Sequence, residues 1–343
     1  HLILATALTV KREEPEYKTV VVSRDINMRV IADALGLDTD DYINSRVIED
    51  RNEIYEGFAK LLVDEELINQ FYVGDDIYLD EDVYSEQGIS LYPHQFLMLV
   101  SSSNEKKTAL ARFTDYTQPL RHIRDMNTAI SWGVLPRNKE QSFAFDLLFD
   151  DDIPLVSLIG KAGSGKTLMA IAAGLEQSVG TKDEKYRRII ISRPVQPLGK
   201  DIGFLPGTME DKMLPWLKPI QDNVRHIMGD DRTMLAAYVE KGKIEIEALT
   251  YIRGRSISNS FLIIDEAQNL TAHEVKTIIT RVGENTKIVL TGDIEQIDNV
   301  YTNETSNGLT YAVEKFKESE LAGHITFRKG ERSKLATAAA KLL

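Results

Sequence analysis

The chain of 343 residues contains no cysteine. This absence excludes disulfides, zinc–thiolate sites and cysteine nucleophiles, and it is typical of a reducing compartment, so we expect a cytoplasmic protein. Long apolar runs are missing too. None comes near the ~20 residues that a helix needs to cross a bilayer, and we expect no membrane partner. Hydrophobic residues make up 43% and charged residues 27% of the chain, which excludes a disordered protein.

A net positive charge is also absent. The formal net charge is −12, and residues 1–135 carry most of it, with 13 Lys and Arg against 24 Asp and Glu. Residues 136–343 are nearly balanced, with 28 basic and 29 acidic residues. Because proteins bind nucleic acids largely through phosphate contacts, the overall charge gives no argument for such a partner. A polyanion would need a local basic surface in the second part.

Residues 1–45 predict the back half of an α/β domain. The run Val20–Val22 is short, apolar and β-branched, as in a buried strand, and the apolar spacing after it predicts a helix from about Asn27 to Leu35. Upstream, Leu2–Val10 favours a helix rather than a second strand. Asp25 falls just past the strand, where open α/β sheets hold ligands, although this position is also typical of a helix cap.

Residues 46–130 differ in character from both flanks. Short apolar runs (RVIED, QFYVG, DIYLD and QFLMLVSSS) alternate there with turn-forming residues, which predicts a β-rich connecting module. In residues 131–343, helical and β runs alternate as in a parallel sheet with crossover helices, which predicts a third domain of the α/β class. Its candidate strands are Val156–Ile159, Arg188–Ser192, Lys243–Leu249, Phe261–Ile264, Lys287–Thr291 and His324–Phe327.

An octapeptide after the first of these strands matches GxxxxGK[ST] in full. Its residues are Gly160, Lys161, Ala162, Gly163, Ser164, Gly165, Lys166 and Thr167. Glycines let such a loop curl so that successive N–H groups point at phosphates, and the following helix adds the partial positive charge of its N-terminus. In this pattern Lys166 reaches the β- and γ-phosphates, and the Thr167 hydroxyl binds Mg²⁺. The motif predicts a nucleoside triphosphate site.

Two carboxylates follow the apolar strand Phe261–Ile264. In this position Asp265 would hold Mg²⁺ through water. Glu266 would orient and deprotonate the attacking water as the general base. A pair of carboxylates carries little weight alone, but its place after a buried strand and downstream of a phosphate loop predicts hydrolysis of the triphosphate.

Other polar residues are weaker candidates for the same site. Asp293 and Gln296 follow the strand Lys287–Thr291, where a polar group can sense the γ-phosphate, although the sequence TGD is also a common turn. Gln141 opens a helix before the phosphate loop, and its amide could either read the edge of adenine or lie on the surface. Lys161 stands where some dimeric ATPases place a lysine that reaches across the dimer. Because those proteins lack an Asp-Glu pair at a strand end, we interpret Lys161 as solvated or close to the phosphates.

Taken together, these motifs resemble those of a known family. GKAGSGKT, IIDEAQN and TGDIEQID, joined by Arg193-Pro194, GFLPGTMEDKMLPW, YIRGRSI and KGERS, are similar to the PhoH-like ATPases over about residues 130–343. The DEAQ and GDxxQ elements also resemble those of superfamily-one helicases. The resemblance implies a P-loop domain with a RecA-like parallel sheet and flanking helices, which binds ATP and Mg²⁺.

The N-terminal segment resembles the C-terminal part of a PIN ribonuclease domain, in particular VVVSRDINMRVIADALG. PIN domains hold Mg²⁺ or Mn²⁺ with a cluster of acidic residues, and Asp25 matches one of them. The stretch HLILATAL resembles a family helix whose aspartate would fall just before His1, so we expect upstream residues to be missing and the nuclease site to be incomplete here. Proteins that fuse the two domains are described as RNA helicases coupled to a ribonuclease.

The resemblance implies ATP-driven RNA unwinding or translocation that feeds RNA to the nuclease. A nucleotide-dependent switch or assembly ATPase without motor activity is the alternative, and a plain nucleic-acid-binding module disagrees with the phosphate loop. Candidate RNA contacts are the loop Arg193–Gly207 and the pair Arg253 and Arg255, which could equally form structural ion pairs.

One phosphate loop, with room for one RecA-like lobe after it, predicts a homo-oligomeric ring such as a hexamer. In a ring, a neighbouring chain can supply the cation that the γ-phosphate needs during hydrolysis. Arg332 of the KGERS element is the first candidate, and Arg281 is the second. A surface salt bridge would explain either arginine as well.

Overall fold

The computed structural model describes most of the chain in two compact units, His1–Glu49 and Asp50–Leu343. The described residues are 2–23, 25–40, 47–48, 50–125, 132–179, 184–194, 209–229, 231–252, 254–299 and 301–328. No helix in this part of the chain is both long enough and apolar enough to span a lipid bilayer. The domain boundaries expected near residues 45 and 130 stay a prediction.

The first unit contains two helices and a two-stranded parallel sheet. The elements are α1 (Leu2–Glu13), β1 (Val20–Val22), α2 (Ile26–Ala34) and β2 (Asp38–Asp40). Leu4, Val21, Ala32 and Leu37 form its buried apolar cluster. The predicted strand and both helices are present, whereas β2 was not predicted. Its sequence, DTD, is polar and exposed, so it lacks the apolar run by which a strand is recognised.

The second unit begins with a four-stranded sheet in the order β3-β4-β5-β6. Its strands are β3 (Phe58–Val63), β4 (Phe96–Ser101), β5 (Thr108–Arg112) and β6 (Arg121–His122), with helices α3 (Glu65–Val73) and α4 (Glu81–Ser85) packed beside them. The run QFYVG, which we predicted to be β, lies on α3. The reason is that Ile68 and Phe71 are three positions apart and are both buried, which is helical spacing.

The larger sheet has six strands, all parallel, in the order β12-β7-β11-β10-β8-β9. They are β7 (Leu155–Gly160), β8 (Arg188–Arg193), β9 (Ile244–Ala248), β10 (Ser260–Ile264), β11 (Lys287–Gly292) and β12 (Ala322–Phe327). All six candidate strands and the α/β class are therefore confirmed. Strands β7, β10 and β11 are buried at every position, as expected for a parallel sheet covered on both faces.

Seven helices in the described residues accompany this sheet. They are α5 (Lys139–Leu148), α6 (Lys166–Val179), α7 (Met209–Ile227), α8 (Arg232–Glu240), α9 (Leu249–Ile252), α10 (Ala272–Ile279) and α11 (Gly308–Phe316). Because β7 lies between β12 and β11, its carboxyl end is beside that of β11, and the carboxyl end of β10 follows on the far side of β11. Open α/β sheets bind ligands at such carboxyl ends, so this edge is where the site is expected.

A buried ionic cluster joins the small sheet to the larger one. Arg112 at the end of β5 is 1% exposed, and its guanidinium donates to Asp146 at 2.7 Å and to Asp150 at 2.6 Å. It also lies 3.0 Å from Nδ1 of His94, and Arg121 reaches Asp150 from the surface at 3.4 Å. Burial alone would raise the pKa of Asp150, but the charge and hydrogen bond of Arg112, with smaller contributions from the Asp152 N–H and Arg121, together hold the pKa below its ordinary value.

Backbone contacts fix the same junction at strand β12. The N–H of Thr326 donates to the carbonyl of Glu56 at 2.9 Å, so the chain entering β3 lies along the outer edge of β12. Gly57 has a φ of 75°, and a Cβ there would lie 1.9 Å from the carbonyl oxygen of His324. Only glycine can combine that backbone with so close an approach.

Candidate nucleotide-binding site

The phosphate loop connects β7 to α6 at the carboxyl edge of the large sheet. Gly163 and Gly165 adopt φ values of 82° and 87°, in the left-handed region that favours glycine. A Cβ on Gly160 would lie 2.7 Å from the Cβ of Phe327, so this glycine lets β12 pack against the start of the loop. The glycines thus provide the curl that aims N–H groups at phosphates.

Lys166 begins α6, as its place in the motif predicts. Its side chain lies largely buried beneath the loop, and Nζ is 3.4 Å from the carbonyl oxygen of Lys161. The ammonium group therefore lies within the curve of the loop, beside the positive end of the helix dipole. Both charges favour an anionic group at this position.

Thr167, Asp265 and Thr291 meet beside the loop. The hydroxyl of Thr167 donates to Oδ1 of Asp265 at 2.8 Å, and the hydroxyl of Thr291 donates to the same oxygen at 2.7 Å. Asp265 is 6% exposed, so the two hydroxyls fix its orientation. Oxygen donors are the ligands that Mg²⁺ prefers, and it completes its shell with waters and phosphate oxygens, so this donor set fits the ion. The described residues contain no group of three His, Asp or Glu that could hold a metal unaided.

Glu266 follows in a left-handed backbone conformation, with φ 55° and ψ 39°. Such a conformation costs a non-glycine residue about 1 kcal/mol or more, and it re-aims the side chain relative to β10. Oε1 of Glu266 lies 3.2 Å from the guanidinium of Arg193 at the end of β8. Oε2 accepts a hydrogen bond from the amide of Gln268. Both carboxylate oxygens are therefore engaged by protein groups.

Gln268 connects this carboxylate to the phosphate loop. Its side chain is fully buried; Nε2 also donates to the carbonyl of Gln296 at 2.9 Å, while Oε1 accepts from the N–H of Asp293 at 3.1 Å. Oδ2 of Asp293 in turn accepts from the N–H of Ala162, inside the loop, at 2.9 Å. A Cβ on Gly292 would lie 2.3 Å from Oε1 of Gln268, so that glycine makes room for the link. In the sequence, Gln268 stands out only as part of the DEAQ element, which does not indicate this contact.

Gln141 contacts the loop rather than open space. Its Oε1 accepts from the N–H of Arg137 at 2.7 Å, and its Nε2 donates to the carbonyl of Ser164 at 3.0 Å. The residue is 5% exposed. The amide oxygen thus binds Arg137, which precedes α5, and the amide nitrogen binds the phosphate loop. Gln141 therefore connects the two segments, a role that the sequence did not predict. Reading of adenine by Gln141 stays a prediction.

Lys161 and Gln296 lie at the outer side of the site. The ammonium group of Lys161 is half exposed and makes a 3.0 Å salt bridge to Glu295. Gln296 is exposed, and its main-chain oxygen, rather than its side chain, joins the network through Gln268. Lys161 and Glu295, but not Gln296, border a pocket of about 300 Å³ that also contacts Asn52 and Arg328.

The residues predicted to bind RNA or to act across subunits are only partly described. The guanidinium of Arg255 makes salt bridges to Glu245 and Glu247 at 3.3 and 3.1 Å, which is the structural alternative that the sequence left open. Arg281 is exposed beside the segment that enters β10, at the edge of the sheet opposite to the phosphate loop. Arg253, Arg332 and most of the loop Arg193–Gly207 lie outside the described residues.

Asp25 caps helix α2 in the first unit. Its Oδ1 accepts from the N–H groups of Asn27 at 2.9 Å and Met28 at 3.3 Å. This is the helix-capping alternative for that position. Its role as a metal ligand stays a prediction.

Comparisons with known proteins agree with the motifs. The description "PhoH-like protein" matches residues 133–342, and "PIN domain" matches residues 1–43. Protein PhoH2 of Bacillus subtilis is 44% identical over 351 aligned residues, 99% of this chain and 77% of the relative. Protein PhoH2 of Thermobispora bispora is 34% identical over 325, 94% of this chain and 70% of the relative.

A solved structure, the SWI2/SNF2 ATPase core of Sulfolobus solfataricus in complex with dsDNA, has a TM-score of 0.34 and 15% identity. It covers 57% of this chain and 45% of that chain, and a likeness this slight supports no argument. The family matches, in contrast, support an assignment. The chain belongs to the PhoH-like family and carries a PIN-domain match at its N-terminus, consistent with a PIN–PhoH fusion.

Proposed function

We propose that this cytoplasmic protein is an Mg²⁺-dependent ATPase that uses ATP hydrolysis to unwind RNA or move along it. One observation carries the hydrolytic part: the Thr167 hydroxyl and the Asp265 carboxylate lie 2.8 Å apart, with Glu266 next in the chain. This contact supports roles for Thr167 as the metal-binding hydroxyl, for Asp265 as the metal-orienting carboxylate and for Glu266 as the general base.

The residues divide the work of hydrolysis among them. Loop N–H groups and Lys166 bind the β- and γ-phosphates, while Thr167 and Asp265 hold the ion and its waters. Bound Mg²⁺ neutralises charge on the phosphate oxygens. Glu266 orients the attacking water and accepts its proton. Hydrogen bonds through Gln268 and Asp293 connect that base to the loop, and they restrain the distance between Glu266 and the loop.

RNA is the proposed track because the chain belongs to the PhoH-like family and carries a PIN-domain match at residues 1–43. A PIN domain acts on RNA by metal-dependent hydrolysis, so a motor joined to it would supply single strands. Arg193, at the carboxyl end of β8, is our first candidate for contact with the RNA backbone. Arg253 and Arg255 remain the other candidates.

A nucleotide-dependent switch is the second candidate. The observation that favours it is the engagement of both Glu266 carboxylate oxygens by Arg193 and Gln268, which describes a resting base. A switch would hydrolyse ATP slowly whether or not RNA is present. A motor needs its track for fast turnover.

The deciding experiment measures steady-state ATP turnover with and without single-stranded RNA. We expect RNA to raise turnover, and we expect Lys166→Ala to abolish both the basal and the stimulated rate. Turnover that does not respond to RNA would favour the switch. Stimulation that survives in Lys166→Ala would point to a contaminating ATPase.

We further propose a homo-oligomeric ring in which Arg332 of one chain reaches the nucleotide of the next. Mixing inactive Lys166→Ala chains with inactive Arg332→Ala chains should then restore part of the activity, because some interfaces keep both residues. Full activity of a monomer would remove the need for a shared site.

A further inference from the structure

The ion pair between Arg193 and Glu266 connects the carboxyl ends of two neighbouring strands. Arg193 is the last residue of β8, and Glu266 is the second residue after β10, the strand paired with β8. The main-chain N–H of Asp265 donates to the carbonyl of Ser192 at 2.8 Å, so the two strand ends are locked in register. The backbone therefore fixes the origins of both side chains.

The pair restrains the carboxylate that catalysis requires and places a positive charge beside it, which makes it a weaker proton acceptor. A general base must accept a hydrogen bond from the attacking water. In this structure Oε1 of Glu266 faces Arg193, and Oε2 accepts from Gln268. Gln268 is buried and has two further hydrogen bonds, to Asp293 and to Gln296. Arg193 is 24% exposed, so its contact is the one that a partner from solvent can break.

An RNA phosphate is such a partner. A guanidinium binds phosphate with two parallel charge-assisted hydrogen bonds, at least as well as it binds a carboxylate. Arg193 lies at the carboxyl edge of the sheet, where open α/β folds bind their ligands. A strand crossing this edge would compete with Glu266 for the same guanidinium.

We propose that Arg193 is a positioning residue that restrains Glu266 in the absence of RNA and releases it when an RNA phosphate takes the guanidinium. The whole inference rests on the proposed role of Glu266 as general base, and its RNA half rests in addition on the proposed coupling to RNA. ATP turnover becomes dependent on RNA because the Arg193 guanidinium pairs with the Glu266 carboxylate when RNA is absent and with an RNA phosphate when RNA is bound.

The same strand offers a matched control. Arg188, at the opposite end of β8, is 23% exposed and makes a salt bridge to Glu245, which is 18% exposed. Replacing Arg188 removes a similar ion pair from the same strand but leaves the site untouched. Arg193→Ala removes the ion pair of Glu266, whereas Arg188→Ala removes a salt bridge to Glu245, which keeps its contact with Arg255, and a hydrogen bond to Ser260.

The experiment measures kcat and KM for ATP in the full 343-residue chain, with and without single-stranded oligouridylate at a saturating concentration for each variant. Partly exposed ion pairs are weak, so Arg193→Ala should raise the RNA-free kcat by about 2- to 5-fold. The KM for ATP should not change, and RNA should stimulate Arg193→Ala little or not at all. Arg193→Lys should keep the low RNA-free rate, and Arg188→Ala should behave as the parent chain. In a Glu266→Gln background, Arg193→Ala should bring no gain.

An RNA-free kcat that is unchanged or lower in Arg193→Ala overturns the restraint. Arg193→Gln provides the same measurement if the alanine variant does not fold. A gain that persists with Glu266→Gln also overturns it, since the effect would not pass through the base. If oligouridylate fails to stimulate the parent chain, release by RNA falls together with the RNA-coupled function. A gain in Arg193→Ala would then still support the restraint itself.

Discussion

Replacing Arg112 tests whether the small sheet is an integral part of the ATPase unit. The guanidinium is 1% exposed and faces two carboxylates, Asp146 and Asp150, whose side chains are 8% and 7% exposed. Arg112→Leu leaves these carboxylates without their main cation in a medium that solvates charge poorly. Breaking a buried pair in this way costs about 3–5 kcal/mol, several times the value of a surface pair.

The assay is urea unfolding of the parent chain and the variant, with a thermal scan beside it. A loss of 3–5 kcal/mol should lower Tm by roughly 5–15 °C in a unit of this size. Arg121→Leu is the control, because Arg121 reaches Asp150 from solvent at 3.4 Å and its side chain is 51% exposed. That change should cost less than about 1 kcal/mol. Adding Asp146→Asn and Asp150→Asn to Arg112→Leu should recover part of the loss, because the stranded charges are gone. Equal effects of Arg112→Leu and Arg121→Leu would refute the argument from burial.

Four further outcomes follow from the site and its surroundings. Lys166→Ala should weaken ATP binding as well as abolish turnover, as measured by nucleotide titration, because Lys161, the other cation of the loop, is paired with Glu295. Glu266→Gln should still bind Mg·ATP but hydrolyse it about 10²–10⁴-fold more slowly, whereas Asp265→Asn should impair metal-dependent binding; equal losses of binding would mean that the roles are misassigned. Gln268→Leu should lower kcat more than it raises KM, since it unties the base from the loop but leaves the phosphate contacts in place. Burial lowers the pKa of His324 to about 3. As the pH falls below about 6.5, the unfolded chain therefore takes up a proton at this residue before the folded chain does, and up to ~2 kcal/mol of stability should be lost between pH 7 and pH 5. His324→Gln should lack that contribution in paired urea titrations.

The parts of this fold that are local in sequence could be predicted. The strand before the phosphate loop, the loop itself and the Asp265–Glu266 pair each lie in a short stretch whose pattern has a direct physical meaning. Strands β7, β10 and β11 could be predicted because buried parallel strands are mostly continuous apolar runs, whereas β9 was predicted from a run with alternating charges, IEIEA. Strand β2 was not predicted because its residues are polar. The prediction of β structure for QFYVG was wrong because five residues cannot distinguish a strand from one face of a short helix.

The contacts that tune the site depend on residues far apart in the chain. Gln141 meets Ser164 across 23 positions, and Ala162 meets Asp293 across 131. Thr291 joins Asp265 because β11 lies beside β10, which no local pattern reveals. Nor does sequence spacing indicate whether Arg193 faces solvent or a carboxylate. Candidate residues could therefore be named from the sequence, whereas the hydrogen bonds around them required the structure.

The two outer strands of the large sheet differ in how they meet their surroundings. Along β12, the carbonyl of Glu56 already accepts a main-chain hydrogen bond from Thr326. Along β9, Glu245 and Glu247 form salt bridges with Arg188 and Arg255, so charged side chains line that margin. Exposed strand edges invite another chain to add a strand, and both devices oppose such addition. If copies of this protein assemble, these margins favour contact through side chains rather than through strand pairing along the described sheet.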